Sequence, residues 1–117
     1  MYTEEELTFF LDHGYLHARG VLSQQELAYY RSEFDRVWEA EKPKVNQHRL
    51  LKYDSFIELI EHPNRLNRQR AIFGNQVQLL QYDLLRQGPK SDMPARSWHR
   101  DFIFPGERPL SINTILY

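Results

Sequence analysis

The chain has 117 residues, of which 41% are apolar and 14% aromatic, and its 15 Lys and Arg against 16 Asp and Glu give a net charge of −1. This length fits one domain, and the composition is that of a globular protein rather than a disordered one. The charge balance gives no general attraction to nucleic acid or anionic membranes. The absence of Cys excludes disulfides, thiolate metal sites and thiol nucleophiles.

The cellular location is indicated by the N-terminal segment and by the missing Cys. The segment MYTEEELTFF is acidic where a signal peptide would be basic, and no apolar stretch approaches membrane-spanning length. A chain without Cys also fits a reducing compartment. We therefore expect a cytoplasmic protein.

Two capping boxes predict the first two helices. Thr3 with Glu6, and Ser23 with Glu26, have the spacing at which a side-chain oxygen and a Glu carboxylate satisfy each other's exposed backbone N–H groups. Gly14 suits the left-handed residue that ends a helix, so the first helix is expected to stop there. The apolar stripe of the second helix follows at helical spacing: Leu27, Tyr30, Phe34, Val37 and Trp38.

The second helix is expected to run to about Glu41, ahead of Pro43, and residues 42–54 are predicted to form a loop because they show no period. Ser55 is predicted to cap a short helix that is broken at His62–Pro63. A further helix over residues 64–73 should end at the Gly that follows it.

After residue 74 the pattern changes to β-type alternation. Residues 76–86, 96–104 and 110–117 are predicted strands, separated by the turn-rich segments 87–95 and 105–109. Helices in residues 1–74 and strands in residues 75–117 favour an α+β fold or a helix-flanked all-β fold. The last strand ends without a turn, so we expect residues 1–117 to be a single partial domain, the front part of a longer fold.

The segment SWHRDF, residues 97–102, has a spacing that suits a metal site. On a strand, His99 and Asp101 would project to the same side because residues i and i+2 share a face. An imidazole and a carboxylate are two of the three protein ligands in the 2-His-1-carboxylate triad, which leaves open positions on Fe(II). The His-x-Asp motif alone is a weak indication of a metal site, because the same spacing also occurs in surface His–Asp pairs that bind no metal.

Five stretches together resemble the N-terminal part of the phytanoyl-CoA dioxygenase family, which are Fe(II)- and 2-oxoglutarate-dependent oxygenases. They are FFLDHGYLHARGVLSQQEL, LIEHPNRLNRQRAIFG, VQLLQYDLLR, SWHRDF and LSINTILY, in the order and with roughly the spacing of that family. The resemblance implies helices followed by the first strands of a jelly roll (double-stranded β-helix), incomplete at the C-terminus. It also implies hydroxylation of a small organic or acyl-CoA substrate.

The resemblance also implies residue roles. His99 and Asp101 would bind Fe(II), and residues of this strand and of the flanking strands would contact 2-oxoglutarate and the substrate. The implied contacts to 2-oxoglutarate are Gln81, Arg86 and Asn113, and those to substrate are Asp83 and Trp98. For each of these five residues, a solvent-facing or core position is an open alternative.

The family's second His ligand and its 2-oxoglutarate-binding Arg should lie well downstream of Asp101. Only 16 residues follow Asp101, and none is His. The remaining histidines, His13, His17, His48 and His62, precede the motif and have no place in the triad. We therefore expect no turnover by residues 1–117 alone, and a missing C-terminal segment as partner.

Two alternatives to the oxygenase remain open. The first is a truncated, non-catalytic remnant that binds no metal and acts only as a packing or interaction module. The second is a different metal enzyme on a cupin-like barrel, which the helical opening disfavours.

Overall fold

A computed structural model describes residues 2–86 and 111–116. The chain divides into two compact units, Met1–Leu85 and Arg86–Tyr117. Trp98, His99 and Asp101 lie outside the described residues, as does the predicted strand over residues 96–104.

The first two helices begin and end as predicted. Helix α1 spans Glu4–His13 and helix α2 spans Gln24–Glu41, and each begins with a complete capping box. Gly14 ends α1 in the left-handed conformation, at φ 78°. Helix α1 contains no buried residue, whereas α2 buries Val37 and Glu41.

The segment predicted as a loop between α2 and the next helix contains regular structure. A short strand β1 (Val45–Asn46) leads into the one-turn helix α3 (Gln47–Leu50). The prediction was wrong because Val45 and Leu50 are buried by distant parts of the chain: Val45 pairs with Leu84, and α3 contacts the strand that contains Leu84. Tertiary burial therefore decides the conformation here, and local periodicity does not.

Helices α4 (Asp54–Glu61) and α5 (Pro63–Phe73) follow, separated by His62. Pro63 occupies the first position of α5, where its missing N–H costs nothing, and Gly74 follows the last residue. The predicted cap by Ser55 is wrong. The residue before α4 is Tyr53, which makes no side-chain cap, and Ser55 is buried inside the first turn.

The sheet within the described residues has two strands. Strand β2 (Asp83–Leu84) pairs with β1 in antiparallel register, with Val45 opposite Leu84 and Asn46 opposite Asp83. Both Val45 and Leu84 are buried, so one face of this small ladder lies against the helices.

The core of the Met1–Leu85 unit lies where the C-terminal half of α2, the sheet, α3 and the start of α4 meet. Its buried apolar residues are Val37, Val45, Leu50, Phe56 and Leu84. Phe34, Trp38, Tyr53 and Tyr82 pack against this cluster while remaining partly exposed. The apolar stripe predicted for α2 thus faces the core through Phe34, Val37 and Trp38.

The predicted jelly roll is wrong for the part of the chain that the structure describes. Helices predominate there, and the two short strands β1 and β2 form its only sheet. Of the predicted strand over residues 76–86, only Asp83–Leu84 is paired, and residues 111–116 have no regular structure. Alternation sets the face of a side chain but supplies no hydrogen-bonding partner, and a strand needs both. None of the described helices combines the length and apolarity that a bilayer-spanning segment needs.

Candidate functional site

The residues with predicted roles in binding 2-oxoglutarate and substrate are exposed wherever they are described. Gln81 and Asp83 are exposed, and the Gln81 amide donates a hydrogen bond to the Asp83 carboxylate. Arg86 and Asn113, in the second unit, are exposed as well. The Gln81 and Asp83 side chains thus contact each other at an exposed position.

The remaining histidines are not grouped as metal ligands. Among residues 2–86 and 111–116, no cluster of three or more His, Cys, Asp or Glu could hold a metal ion. The His13 ring stacks on Phe9 with 4.1 Å between centroids, and its Nδ1 lies 2.9 Å from the Phe9 carbonyl oxygen. His17 and His48 are exposed.

Glu41, the last residue of α2, is the centre of a polar cluster. Its carboxylate accepts hydrogen bonds from Lys52 Nζ at 2.6 Å, Arg49 Nη1 at 2.6 Å and the Tyr53 hydroxyl at 2.9 Å. The Glu41 side chain is only 7% exposed, whereas those of Arg49 and Lys52 are about half exposed. Led by Lys52, these donors lower the pKa of Glu41 to about 2.

The aromatic ring of Tyr53 completes the Glu41 cluster. The Arg36 guanidinium carbon lies 5.2 Å from the ring centroid and Lys52 Nζ lies 5.9 Å from it, both within cation–π range. The hydrogen bond to Glu41 and burial both raise the pKa of the Tyr53 hydroxyl. With a pKa so far below neutrality, Glu41 is unsuited to general base catalysis at pH 7, and its chemistry is that of a structural anion.

A second carboxylate, Glu26, joins the start of α2 to the α4–α5 junction. Its Oε2 accepts the Ser23 backbone N–H at 2.7 Å, and its Oε1 lies 3.0 Å from His62 Nε2. The Ser23 backbone and His62 together lower the pKa of Glu26 to about 2. The His62 side chain is 10% exposed, and its Nδ1 is buried without a partner among the described residues.

Tyr82 attaches the segment before β2 to α4. Its ring lies 6.0 Å from that of Phe56, and its hydroxyl donates to the Phe56 carbonyl oxygen at 3.2 Å. Burial raises the pKa of Tyr82 to about 12, so the hydroxyl is a neutral donor at physiological pH. In β2, Leu84 is buried and the neighbouring Asp83 is exposed, as alternation along a strand requires. Gln81, which precedes the strand, is exposed as well.

Sequence reasoning missed the Glu41 and Glu26 clusters. The Glu41 cluster could have been suspected from the sequence, because the residues between Glu41 and Tyr53 include several Lys and Arg but no Asp or Glu. Glu26 was recognised only as a capping residue, and nothing in its local sequence indicates contact with His62, which lies 36 positions away.

Comparison with known proteins gives no relative: no family model, no curated protein and no solved structure matches the chain. The resemblance to the phytanoyl-CoA dioxygenase family therefore stays a prediction carried by the sequence stretches that first indicated it.

Proposed function

We propose that the chain contributes to an Fe(II)- and 2-oxoglutarate-dependent dioxygenase that hydroxylates a small organic or acyl-CoA substrate. The observation that carries the proposal is the segment WHRDF, residues 98–102, which stands at the place the resemblance requires, after a G-Y turn and two capped helices. His99 and Asp101 are the residues assigned to the metal.

The donor chemistry of these two residues suits Fe(II), which accepts imidazole nitrogen and carboxylate oxygen together. They supply two of the three protein ligands, and no residue of this sequence is assigned as the third. When bound, the metal and 2-oxoglutarate would supply the oxidising chemistry, and the protein would orient the substrate.

The assignments to the organic ligands are part of the same proposal. Gln81, Arg86 and Asn113 are assigned to 2-oxoglutarate, and Asp83 and Trp98 to the substrate. The Gln81 amide donates to Asp83, which leaves the second N–H and the amide oxygen of Gln81 and the other carboxylate oxygen of Asp83 for a ligand. We also infer a cytoplasmic location, which the absence of Cys supports.

Metal binding tests the proposal directly. Anaerobic titration of residues 1–117 with Fe(II), or with Co(II) as a spectroscopic probe, should show weak binding of one ion. His99→Ala and Asp101→Ala should each abolish it, and His48→Ala, at an exposed position, should leave it unchanged. Unaltered binding by both His99→Ala and Asp101→Ala would refute the ligand assignment and favour the interaction-module alternative.

A turnover assay tests the expected incompleteness of the site. The purified 117-residue chain with Fe(II), O₂ and 2-oxoglutarate should not consume the cosubstrate, because two protein ligands hold the metal too loosely. Sustained consumption would show that the ligand set is complete within this sequence. Reading the coding DNA beyond Tyr117 for a continuing frame with a His and a following Arg provides an independent check.

A further inference from the structure

Helix α5 carries arginines that form no ion pair with the residues that the structure describes. Residues 62–82 contain no Asp or Glu, while α5 contributes Arg65, Arg68 and Arg70. Arg65 and Arg68 are three positions apart and so share a face of the helix. Both are partly buried, whereas Arg70 is exposed.

The hydrogen bonds of Arg65 and Arg68 leave much of their donor capacity unused. Arg65 Nη1 donates to Gln69 Oε1 at 3.0 Å, and Arg68 Nη1 donates to the Asn64 carbonyl oxygen. A guanidinium has five N–H donors. The Nε of Arg68 is buried and has no acceptor in the described part of the chain.

Neither guanidinium has a carboxylate within ion-pair distance among residues 2–86 and 111–116. Arg36 and Arg49, by contrast, are paired with Glu33 at 2.7 Å and Glu41 at 2.6 Å. Withdrawing a cation from water without a counter-ion is costly, and burial accordingly lowers the pKa of Arg65. Among the described residues, the α5 face therefore has no anion within reach of its free donors.

We propose that Arg65 and Arg68 form a binding site for the oxyanion of a small molecule, either a carboxylate or a phosphate group. A planar guanidinium can donate two parallel hydrogen bonds to the oxygens of a carboxylate or phosphate, a bidentate geometry that Lys cannot reproduce. Tyr2 lies beside the site, since the Arg68 guanidinium carbon is 5.9 Å from the Tyr2 ring centroid. The site does not involve His99 or Asp101, so it stands independently of the proposed dioxygenase activity.

Side-chain NMR of the complete ¹⁵N-labelled chain tests the proposal. The Nε–H signals of the arginines are followed during separate titrations with inorganic phosphate and with succinate, at ionic strength held constant with NaCl. Saturable shifts of Arg65 and Arg68, with Arg70 unaffected, are expected. Saturation by phosphate alone, by succinate alone or by both would identify the accepted oxyanion. No saturable shift with either probe would overturn the proposal.

Two variants separate a defined site from diffuse attraction. Arg68→Lys keeps the charge but removes the planar fork and Nε, and should weaken binding of the accepted anion about tenfold. Arg70→Gln removes an exposed charge from the same helix and should leave the affinity unchanged. Equal weakening in the two variants, or none in Arg68→Lys, would contradict a site built on Arg65 and Arg68. Circular dichroism verifies that both variants are folded.

Discussion

The Glu41 carboxylate shows how a single residue can join elements that the sequence separates. It stands at the end of α2, and its three donors, Lys52, Arg49 and Tyr53, come from the segment that leads into α4. Because Glu41 is buried while the cations keep half of their surface in water, the desolvation cost falls mainly on the carboxylate. The donors offset this cost by stabilising the ionised form.

The lowered pKa of Glu41 predicts a specific acid sensitivity. Its pKa is about 2 in the folded chain, against a reference of 4.5. Between these values the unfolded chain binds a proton that the folded chain does not, so the free energy of unfolding decreases as pH falls through this window. Above pH 4.5 the full contribution is present. Urea unfolding at pH 6 and pH 3 should show a smaller loss on acidification in Glu41→Gln than in the parent.

The matched control for this acid effect is Glu61→Gln, which makes the same chemical change at an exposed position of α4. It should retain the pH dependence of the parent chain. If Glu41→Gln and Glu61→Gln lose equal stability between pH 6 and pH 3, the Glu41 cluster does not cause the acid sensitivity.

At the scale of elements, α1 and α2 begin with the same capping motif, but α2 buries residues in the core and α1 does not. Both have complete capping boxes, which satisfy backbone donors that the helix leaves free. Helix α2 buries residues in the core and is tied to His62 through Glu26, whereas α1 buries none. The stability of α2 is therefore coupled to that of the core, and that of α1 is largely local.

This difference predicts unequal effects of removing the two caps. Ser23→Ala should lower the free energy of global unfolding by about 1 kcal/mol, because it frees the start of a helix that forms the core. Thr3→Ala should instead increase amide hydrogen exchange in α1 with little change in global unfolding. The two effects are measured by denaturant unfolding and by hydrogen exchange. Equal loss of global stability in the two variants would show that α1 unfolds together with the core.

At the scale of the whole molecule, the core of the Met1–Leu85 unit is small and draws on five separate elements. Its buried apolar members come from α2, β1, α3, α4 and β2. Leu50 and Val37 are the largest side chains that are fully buried. With so few buried contacts, a single cavity removes a large share of the stabilising burial.

Truncating Leu50 tests this dependence, and its neighbour provides the control. Leu50 is 0% exposed and Leu51 is 43% exposed. Leu50→Ala should cost about 2 to 5 kcal/mol in the free energy of unfolding, whereas Leu51→Ala should cost about 0.5 kcal/mol. Thermal or urea unfolding followed by circular dichroism gives both values. A similar loss in the free energy of unfolding in the two variants would show that Leu50 is not part of the core.

Local signals in the sequence determined the bounds of α1 and α2 and the end of α5. Thr3, Ser23, Gly14 and Gly74 act on their own backbone neighbours, so the bounds of α1 and α2 and the end of α5 could be predicted correctly.

Contacts between distant residues decided the rest. The pairing of Val45 with Leu84 and the approach of His62 to Glu26 join parts of the chain that no short pattern connects. The strand over residues 76–86 was predicted from alternation and the jelly roll from the family resemblance. A sheet forms only where a second strand offers backbone partners, and of residues 76–86 only Asp83–Leu84 is paired. The sequence by itself thus determined where α1 and α2 begin and end and where α5 ends, because caps act within a few residues. Only the tertiary structure decided which carboxylates are buried and which strands pair, because desolvation and pairing depend on what the folded chain brings together.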